Sequence, residues 1–591
     1  MAETVAAGDG DEGNQRHKPG RRRKFYLLLA IVAAAHCSSL FGDFILDDYW
    51  NLRNAFEAGW SWPRLERGFL MDVDRLHDGW KLPAYAGFQV RYFRPLFLAS
   101  LLSDRALWGL RAAGYHLTNA VLHLVVVALF YGLLIELLGE PRRAMAWFGA
   151  LLYGVMHFHA ATVGWLSGRT ELLPGLTMMA ALWAYLRFAR TGVWIYYVLS
   201  LVAVAGGLLA KENAVVLPLI LGAAWMWVVP RPRRSGWLLA PYATLVVFYL
   251  LYRSHVLGGV SLPPQSFYYH PPSEPGFAWW AMGKAVCVFY ALLFQLPLNW
   301  PLELVLGHMP VVSVPLLAIA GAITFWLFRV VRGKREDIWR RLGWFAAAWI
   351  VAAMAPTAPL LLAPLYFYFS LAGVCLLYLV IWQRLAERGR PRWLCRPGWR
   401  KAVPVILAGF SLLLLEVGNF LLIHISRASR RVVDQVAAEV GEPAEGVRLY
   451  VVDLPVIAAH MKAALELRWP GRPFEFHFLT LSPGRAAAGS AVSRLEQVDD
   501  RTLRLTALGR PYYSQPFGIL ALDDRMRDAF GAGRMWPARG YRVELAQVEP
   551  VGHWRFEAVR QFLFHFDDPL ASPEKYFLRF SNGRLERVLF R

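Results

Sequence analysis

The chain is poor in cysteine, poor in charge and poorest in acid. Its four cysteines (Cys37, Cys287, Cys375, Cys395) lie in or beside apolar runs with no metal-type spacing, which excludes a disulfide framework and a zinc knuckle. There is no Gly-rich phosphate loop and no internal repeat, so neither a P-loop enzyme nor a solenoid fits. No small-residue cleavage site follows the first apolar run, which therefore reads as a retained anchor and not a signal peptide. Acids number 43 against 63 Lys and Arg, for a net charge of +20. The basic residues stand in short clusters between apolar runs, the pattern of loops that hold membrane topology, so no nucleic-acid partner is expected.

What the chain has is apolar surface. Of 591 residues 56% are hydrophobic, 14% are aromatic and only 18% are charged, with a mean hydropathy of +0.34. That composition describes a polytopic membrane protein carrying some soluble mass. The 25 Trp and 24 Tyr suit two interfacial belts and a sugar-handling surface.

Residues 1–24 read as a disordered cytoplasmic tail. Phe25 to Leu46 follow as a run long enough to cross a hydrocarbon core of about 30 Å, and Arg21-Arg22-Arg23-Lys24 ahead of it hold that end in the cytoplasm. Asp47 and Asp48 thus emerge on the far side. Two adjacent acids there need a cation, a metal or a chemical task to account for them.

Residues 43–114 are too polar and Trp-rich to cross, and read as an external loop lying on the membrane. Apolar runs then follow at about 117–138, 144–162, 172–189, 193–209, 213–230 and 237–257. Assigning Arg142-Arg143, Arg187 with Arg190, and Arg231 with Arg233-Arg234 to the cytoplasm gathers Tyr115-His116, His157 to Glu171 and Lys211-Glu212 on the side of Asp47. The stretch 258–310 is read as external and partly embedded, not as a net crossing, because a crossing there would put Arg329 to Arg341 outside. Runs at about 311–330, 343–361, 364–383 and 402–424 bring the count to about eleven. The fold expected is an all-α polytopic domain over 25–425, then a soluble α/β domain over 426–591 on the outer side. In that domain Arg448 to Asp453 reads as a buried strand, and Ser581-Asn582-Gly583 as a hairpin turn.

Each polar constellation has two readings. A carboxylate at the mouth of a span, such as Asp47 or Asp48, can take a proton from an attacking hydroxyl, or simply fix the loop through Arg partners. Arg94, held by Pro95, suits a lipid-linked phosphate or headgroup anchoring. His116, Asn119 and His123 share one helix face and line either a site or a helix interface; for His123 packing is preferred. His157 and His159 form a weak metal pattern without a third ligand. Arg169 with Glu171 binds substrate or ties its loop, and Lys211 neutralises a phosphate or pairs with a neighbour.

In order, the acidic pair, Phe93-Arg94-Pro95-Leu96, Tyr115-His116-Leu117-x-Asn119 with His123, Trp165-Leu-Ser-Gly-Arg169-x-Glu171 and Ala210-Lys211-Glu212 resemble the GT-C superfamily of polyprenyl-phosphate-sugar-dependent glycosyltransferases. The nearest branch is that of the O-mannosyltransferase-like proteins. The resemblance covers about residues 25–260 by motif and 260–425 by layout. It implies an inverting membrane transferase with a polyprenyl-phosphate-linked sugar as donor, a protein or glycan hydroxyl as acceptor, and lipid around it. Asp47 would be the general base with Asp48 positioning it or the substrate. Arg94, with Arg169 and Lys211, would face the donor phosphate, and His116, Asn119, His159 and Glu171 would complete the substrate site. The scheme needs no cofactor, although an acidic pair can hold a divalent metal. The setting implied is a bacterial inner membrane with the site facing the periplasm. Three departures stand out: Ala161 where relatives often carry Glu, Leu365 where an Arg usually precedes the Tyr-x-Tyr pair, and no tetratricopeptide repeats. The rival functions are a lipid-linked-sugar transporter and a non-catalytic scaffold of the same fold.

Overall fold

A computed structural model of the chain describes residues 18–58, 92–229, 235–257, 277–297, 306, 309–332, 337–360, 362–388, 397–458, 460–482, 492–512, 531–550, 557–581 and 584–590. Trp60, Trp62, Trp80, Arg91, Arg231 with Arg233-Arg234, Cys395 and the turn pair Asn582-Gly583 lie outside the described residues, as do residues 1–17 of the tail.

The first helix, α1 (Lys18–His36), starts ahead of the basic cluster and continues as a 3-10 turn through Phe41. α2 (Asp47–Ala58) and α3 (Pro95–Trp108) are helices within the stretch read as an external loop. Pro95 stands at the first position of α3, where its missing N–H costs nothing, and Gly109 ends the helix at φ 62°. There follow α4 (Ala112–Leu138), α5 (Arg143–Gly154), the single turn α6 (His159–Val163), α7 (Arg169–Thr191), α8 (Trp194–Ala210), α9 (Leu217–Trp227) and α10 (Ala240–Leu257). The bundle is completed by α11 (Phe277–Phe294), α12 (Pro310–Val331), α13 (Ile338–Met354), α14 (Ser370–Arg388) and α15 (Pro397–Val440).

Eight helical stretches among the described residues are long and apolar enough to cross a membrane, and two shorter apolar helices, Trp194–Ala210 and Glu212–Trp227, accompany them. Two features differ from the expected count of about eleven. The run at 144–162 is not one helix: α5 has 12 residues, about 18 Å of rise, before the chain bends into α6. The segment read as partly embedded holds α11, an 18-residue apolar helix of spanning length.

Charge sorts by end. Trp147 Nε1 donates to the Lys24 carbonyl at 2.8 Å, and the Arg142 guanidinium lies 5.0 Å from the Trp339 ring centroid. Arg341 donates to the Trp227 and Val228 carbonyls at the end of α9, while Arg384 pairs with Asp337 and Arg187 with Glu136. All these basic groups therefore share the end of the bundle at which α4 finishes. Tyr115, His116 and Asn119 begin α4, about 25–32 Å of helix rise away from Glu136.

The core runs through α4, α5, α7 and α14. The outer helices instead turn apolar side chains outward, as Phe248 and Leu251 of α10, Val311 and Phe325 of α12 and Val405 and Leu413 of α15 do. In water such faces would demand a partner; in a bilayer the lipid tails cover them.

No break falls at 425–426. α15 is one helix of 44 residues, about 66 Å long, that runs from the bundle into the C-terminal domain. Its middle is tied to the end of α1: Asn419 Nδ2 donates to Ser38 Oγ at 2.9 Å, and the Asp43 N–H donates to Ser426 Oγ at 3.0 Å. Arg430 Nη1 lies 2.7 Å from Asp43 Oδ1.

The C-terminal domain has two sheets. One has the order β2-β1-β8-β9: β1 (Arg448–Val452) lies parallel to β2 (Glu475–Phe478) and β8 (Lys575–Ser581), and β8 pairs with β9 (Arg584–Val588) in the expected hairpin. The other is antiparallel, β3-β4-β7-β6-β5, from β3 (Ser493–Gln497), β4 (Thr502–Ala507), β5 (Met535–Ala538), β6 (Tyr541–Pro550) and β7 (Glu557–Phe566). Registered residues His477, Tyr450 and Phe577 stack face to face across three strands, with centroids 4.8 and 4.9 Å apart. Asp453, just past β1, ties the sheets by accepting from Ser493 Oγ at 2.5 Å and Tyr512 OH at 2.6 Å. The short helix α16 (Met461–Arg468) packs against both α15 and α2.

Candidate active site

The two carboxylates of the acidic pair point in different directions. Leu46, immediately before them, takes a left-handed φ of 47°, which costs a non-glycine residue roughly 1 kcal/mol. The turn it makes drives Asp48 inward, where it is fully buried. Its Oδ1 accepts from the Ser167 N–H at 2.9 Å and Ser167 Oγ at 2.7 Å, and its Oδ2 from the Ile45 N–H at 3.0 Å. Burial pushes this carboxyl up to about 7, against the opposing pull of those bonds. Asn51 Nδ2 adds a bond to Ser167 Oγ at 2.9 Å. Asp48 is thus the clamp between α2 and the 165–169 turn. That turn leaves no room for a side chain at Gly168, whose Cβ would stand 2.3 Å from the Thr162 carbonyl oxygen.

Asp47 remains at the surface. Its side chain is 47% exposed, and Oδ1 lies 3.1 Å from His460 Nε2, at the start of α16.

Behind Asp47 stands a block of paired charges. Arg94 grips Glu212 with two parallel bonds, Nε to Oε2 at 3.1 Å and Nη2 to Oε1 at 2.5 Å. The Arg94 guanidinium lies 4.2 Å from the Tyr92 ring centroid. Lys211 pairs with Glu171 and sits 5.2 Å from the Tyr366 ring centroid. Glu171 lies within the electrostatic reach of both cations. The Tyr92 phenol, pushed up by burial, feels Arg94, Glu212 and Asp47 together, which places the exposed carboxylate and the arginine around one tyrosine. Two cations and two anions leave the block neutral as it stands.

The other candidates divide. Arg169 is fully buried, and its three nitrogens all face protein oxygens: Nε donates to Asn119 Oδ1 at 2.7 Å, Nη1 to the Ser100 carbonyl at 3.4 Å, and Nη2 to the Tyr115 carbonyl at 3.0 Å, with Asp104 Oδ2 at 2.5 Å. Asn119 Nδ2 in turn donates to the Trp165 carbonyl at 3.1 Å. These two residues staple α3, α4 and the 163–169 turn, and Arg169 presents no open face to a phosphate. His116 is buried beneath Gly42, whose Cβ would come 3.3 Å from its Nε2. His159 belongs to an inner cluster with His36, His123, Tyr153 and Tyr368, its ring 4.8 Å from those of His123 and Tyr153 and 4.9 Å from that of Tyr368. His36 and His123 each place Nε2 3.0 Å from the Gly154 carbonyl, a packing role as preferred for His123. Among the described residues no group of three His, Cys, Asp or Glu side chains is arranged to hold a metal ion.

Sequence patterns did not single out Tyr92, Ser167, Tyr366 or His460. Tyr366 was visible only as part of the Tyr-x-Tyr pair, Ser167 only inside the Trp165-Leu-Ser-Gly-Arg169 motif and Tyr92 only beside Arg94; His460 carries no local signal.

No family model matches the chain. Curated relatives do. Over 194 residues, 32% of this chain, it is 29% identical to the mouse protein O-mannosyl-transferase TMTC3, and over 198 residues 26% identical to the human TMTC3. Mouse TMTC1 is 26% identical over 227 residues, 35% of the chain. The chain is similar to the protein O-mannosyl-transferases. This bears out the resemblance drawn from the motifs, and it is partial: the match spans 20% of the length of either TMTC3 and 23% of TMTC1. Among solved structures, ArnT from Cupriavidus metallidurans bound to undecaprenyl phosphate aligns over 94% of this chain and 99% of its own, at 15% identity and a TM-score of 0.41. The Archaeoglobus fulgidus oligosaccharyltransferase aligns over 77% of this chain and 63% of its own, at 10% identity and a TM-score of 0.40.

Proposed function

We propose that the chain is an inverting membrane glycosyltransferase that moves a sugar, mannose by its likeness to the O-mannosyl-transferases, from a polyprenyl-phosphate donor to a hydroxyl acceptor. The observation that carries the reading is the split of the acidic pair: Asp48 is buried as a clamp, while Asp47 is left half exposed at the end of the bundle that holds Arg94 and Lys211. With the basic end in the cytoplasm, that end faces outward, the periplasm in a bacterium.

The donor phosphate enters between Arg94 and Lys211 and takes the place of Glu212 and Glu171. Arg94 suits it because its two parallel donors match two phosphate oxygens as they now match a carboxylate. Asp47 accepts the proton of the acceptor hydroxyl as that oxygen forms its bond to the anomeric carbon. The bond from that carbon to the phosphate oxygen breaks, and its electron pair leaves with the lipid phosphate. The negative charge gathering there meets cations already in place, the term that dominates most catalysis of this kind. Asp48 keeps the start of α2, and so Asp47, at a fixed height above the 165–169 turn.

Replacing Asp47 by Asn is expected to lower transfer by at least 10²-fold, the range for losing a general base, with unchanged thermal stability. An Asp47→Asn protein that transfers sugar at the wild-type rate would remove this reading.

A further inference from the structure

The geometry points to His460 as a positioning residue for Asp47, supplied to the site by the C-terminal domain; this inference rests on the function proposed above. His460 stands at the start of α16, and its Nε2 is 3.1 Å from Asp47 Oδ1. Its other nitrogen, Nδ1, is buried with no hydrogen-bond partner among the described residues, so Asp47 is the polar contact that orients the ring. A second tie acts between the same two helices: Arg53 Nε of α2 lies 2.8 Å from Glu466 Oε2 of α16. The domain therefore does not merely hang from the membrane. It is pinned at two points to the helix that carries the exposed carboxylate, and one pin is that carboxylate.

The chemical consequence follows from what a general base needs. A half-exposed aspartate at a helix start has several rotamers open to it, and only some aim an oxygen at the acceptor. A donor on Oδ1 selects one rotamer and leaves Oδ2 for the acceptor hydroxyl, so less ordering remains to be done when substrate arrives. His460 does this as a hydrogen-bond donor. It takes no proton from substrate itself, so a neutral donor of similar reach replaces it.

The test measures release of polyprenyl phosphate from radiolabelled polyprenyl-phosphate mannose in membranes of the expressing strain, which hold the endogenous acceptor. His460→Ala is expected to lower kcat about tenfold or more, with the donor KM unchanged because Arg94 and Lys211 are untouched. His460→Gln keeps an N–H for Asp47 and is expected to return kcat to within a few-fold of wild type. A purely structural contact would instead move the thermal midpoint and leave Gln and Ala alike. Full kcat in His460→Ala, or a Gln variant as slow as Ala, overturns the inference. Asp47→Asn is run beside them. If it is inactive while His460→Ala is at full rate, only this inference falls; if it is active, the proposed function falls and this inference with it.

Discussion

The buried clamp makes the stability of the protein depend on pH in a way one substitution isolates. Asp48 titrates near 3.8 in an unfolded chain and at about 7 in the folded one, because burial disfavours its charged form. Between those values the folded state binds a proton that the unfolded state does not, so stability is highest at the acid end and falls as pH rises through that window. At about 1.4 kcal/mol for each tenfold change in proton affinity, the loss approaches about 4 kcal/mol by pH 7. Asp48→Asn cannot ionise. It still offers one oxygen to Ser167, but its amide nitrogen faces the Ile45 N–H that Oδ2 now satisfies. The facing donors cost about 1–3 kcal/mol, independent of pH. Thermal unfolding of both proteins in the same detergent, from pH 5 to pH 8.5, gives the comparison. From pH 5 to pH 8.5 wild type is expected to lose about 3 kcal/mol relative to Asp48→Asn, so the balance between the two proteins shifts toward the variant as pH rises. A gap that stays constant from pH 5 to 8.5 would show that Asp48 does not titrate in this window and would refute the reasoning.

Two more substitutions separate the cations. Arg94→Lys keeps the charge but loses the two-pronged grip on Glu212 and the stack on Tyr92; the donor KM is expected to rise at least tenfold, with a wild-type thermal midpoint. Arg169→Ala strands Asp104, which is 2% exposed, without its countercharge; removing one partner of a buried pair costs about 3–5 kcal/mol. The expected result is a large fall in thermal midpoint or in yield of folded protein, and a normal Arg169→Ala midpoint with a raised donor KM would return Arg169 to the phosphate site.

The features legible in the sequence were those that local composition decides. The sorting of basic loops to one end follows from the cost of moving Arg and Lys across lipid, and the ion pairs and caps around Arg142, Arg341 and Arg384 lie where that rule puts them. Arg94 and Lys211 were legible as cations at the end of the bundle opposite the basic loops, but not their partners, because the packing of α3, α7 and the turn after α8 brings Glu212 and Glu171 to them. Arg169 sits in the same short motif as Glu171, yet the α7 start turns it toward Asp104 and the other toward Lys211. The change of composition near Ser426 does not coincide with a helix end, because α15 runs unbroken through it. His460 was invisible for a simpler reason. It is a single histidine in a distant domain, and only the docking of α16 on α2 gives it a role.

The continuity of α15 turns the join between the two halves of the protein into a matter of angular phase. Each residue of an α-helix advances the chain about 1.5 Å and rotates it about 100°. Between Ser426, fixed to the end of the first span, and Val440, where the helix stops, an added or deleted residue would swing the whole C-terminal domain around α15 and carry His460 away from Asp47. The number of residues along that stretch is constrained as well as their kind. Chain length there works as a registration mark, setting where the C-terminal domain meets α2.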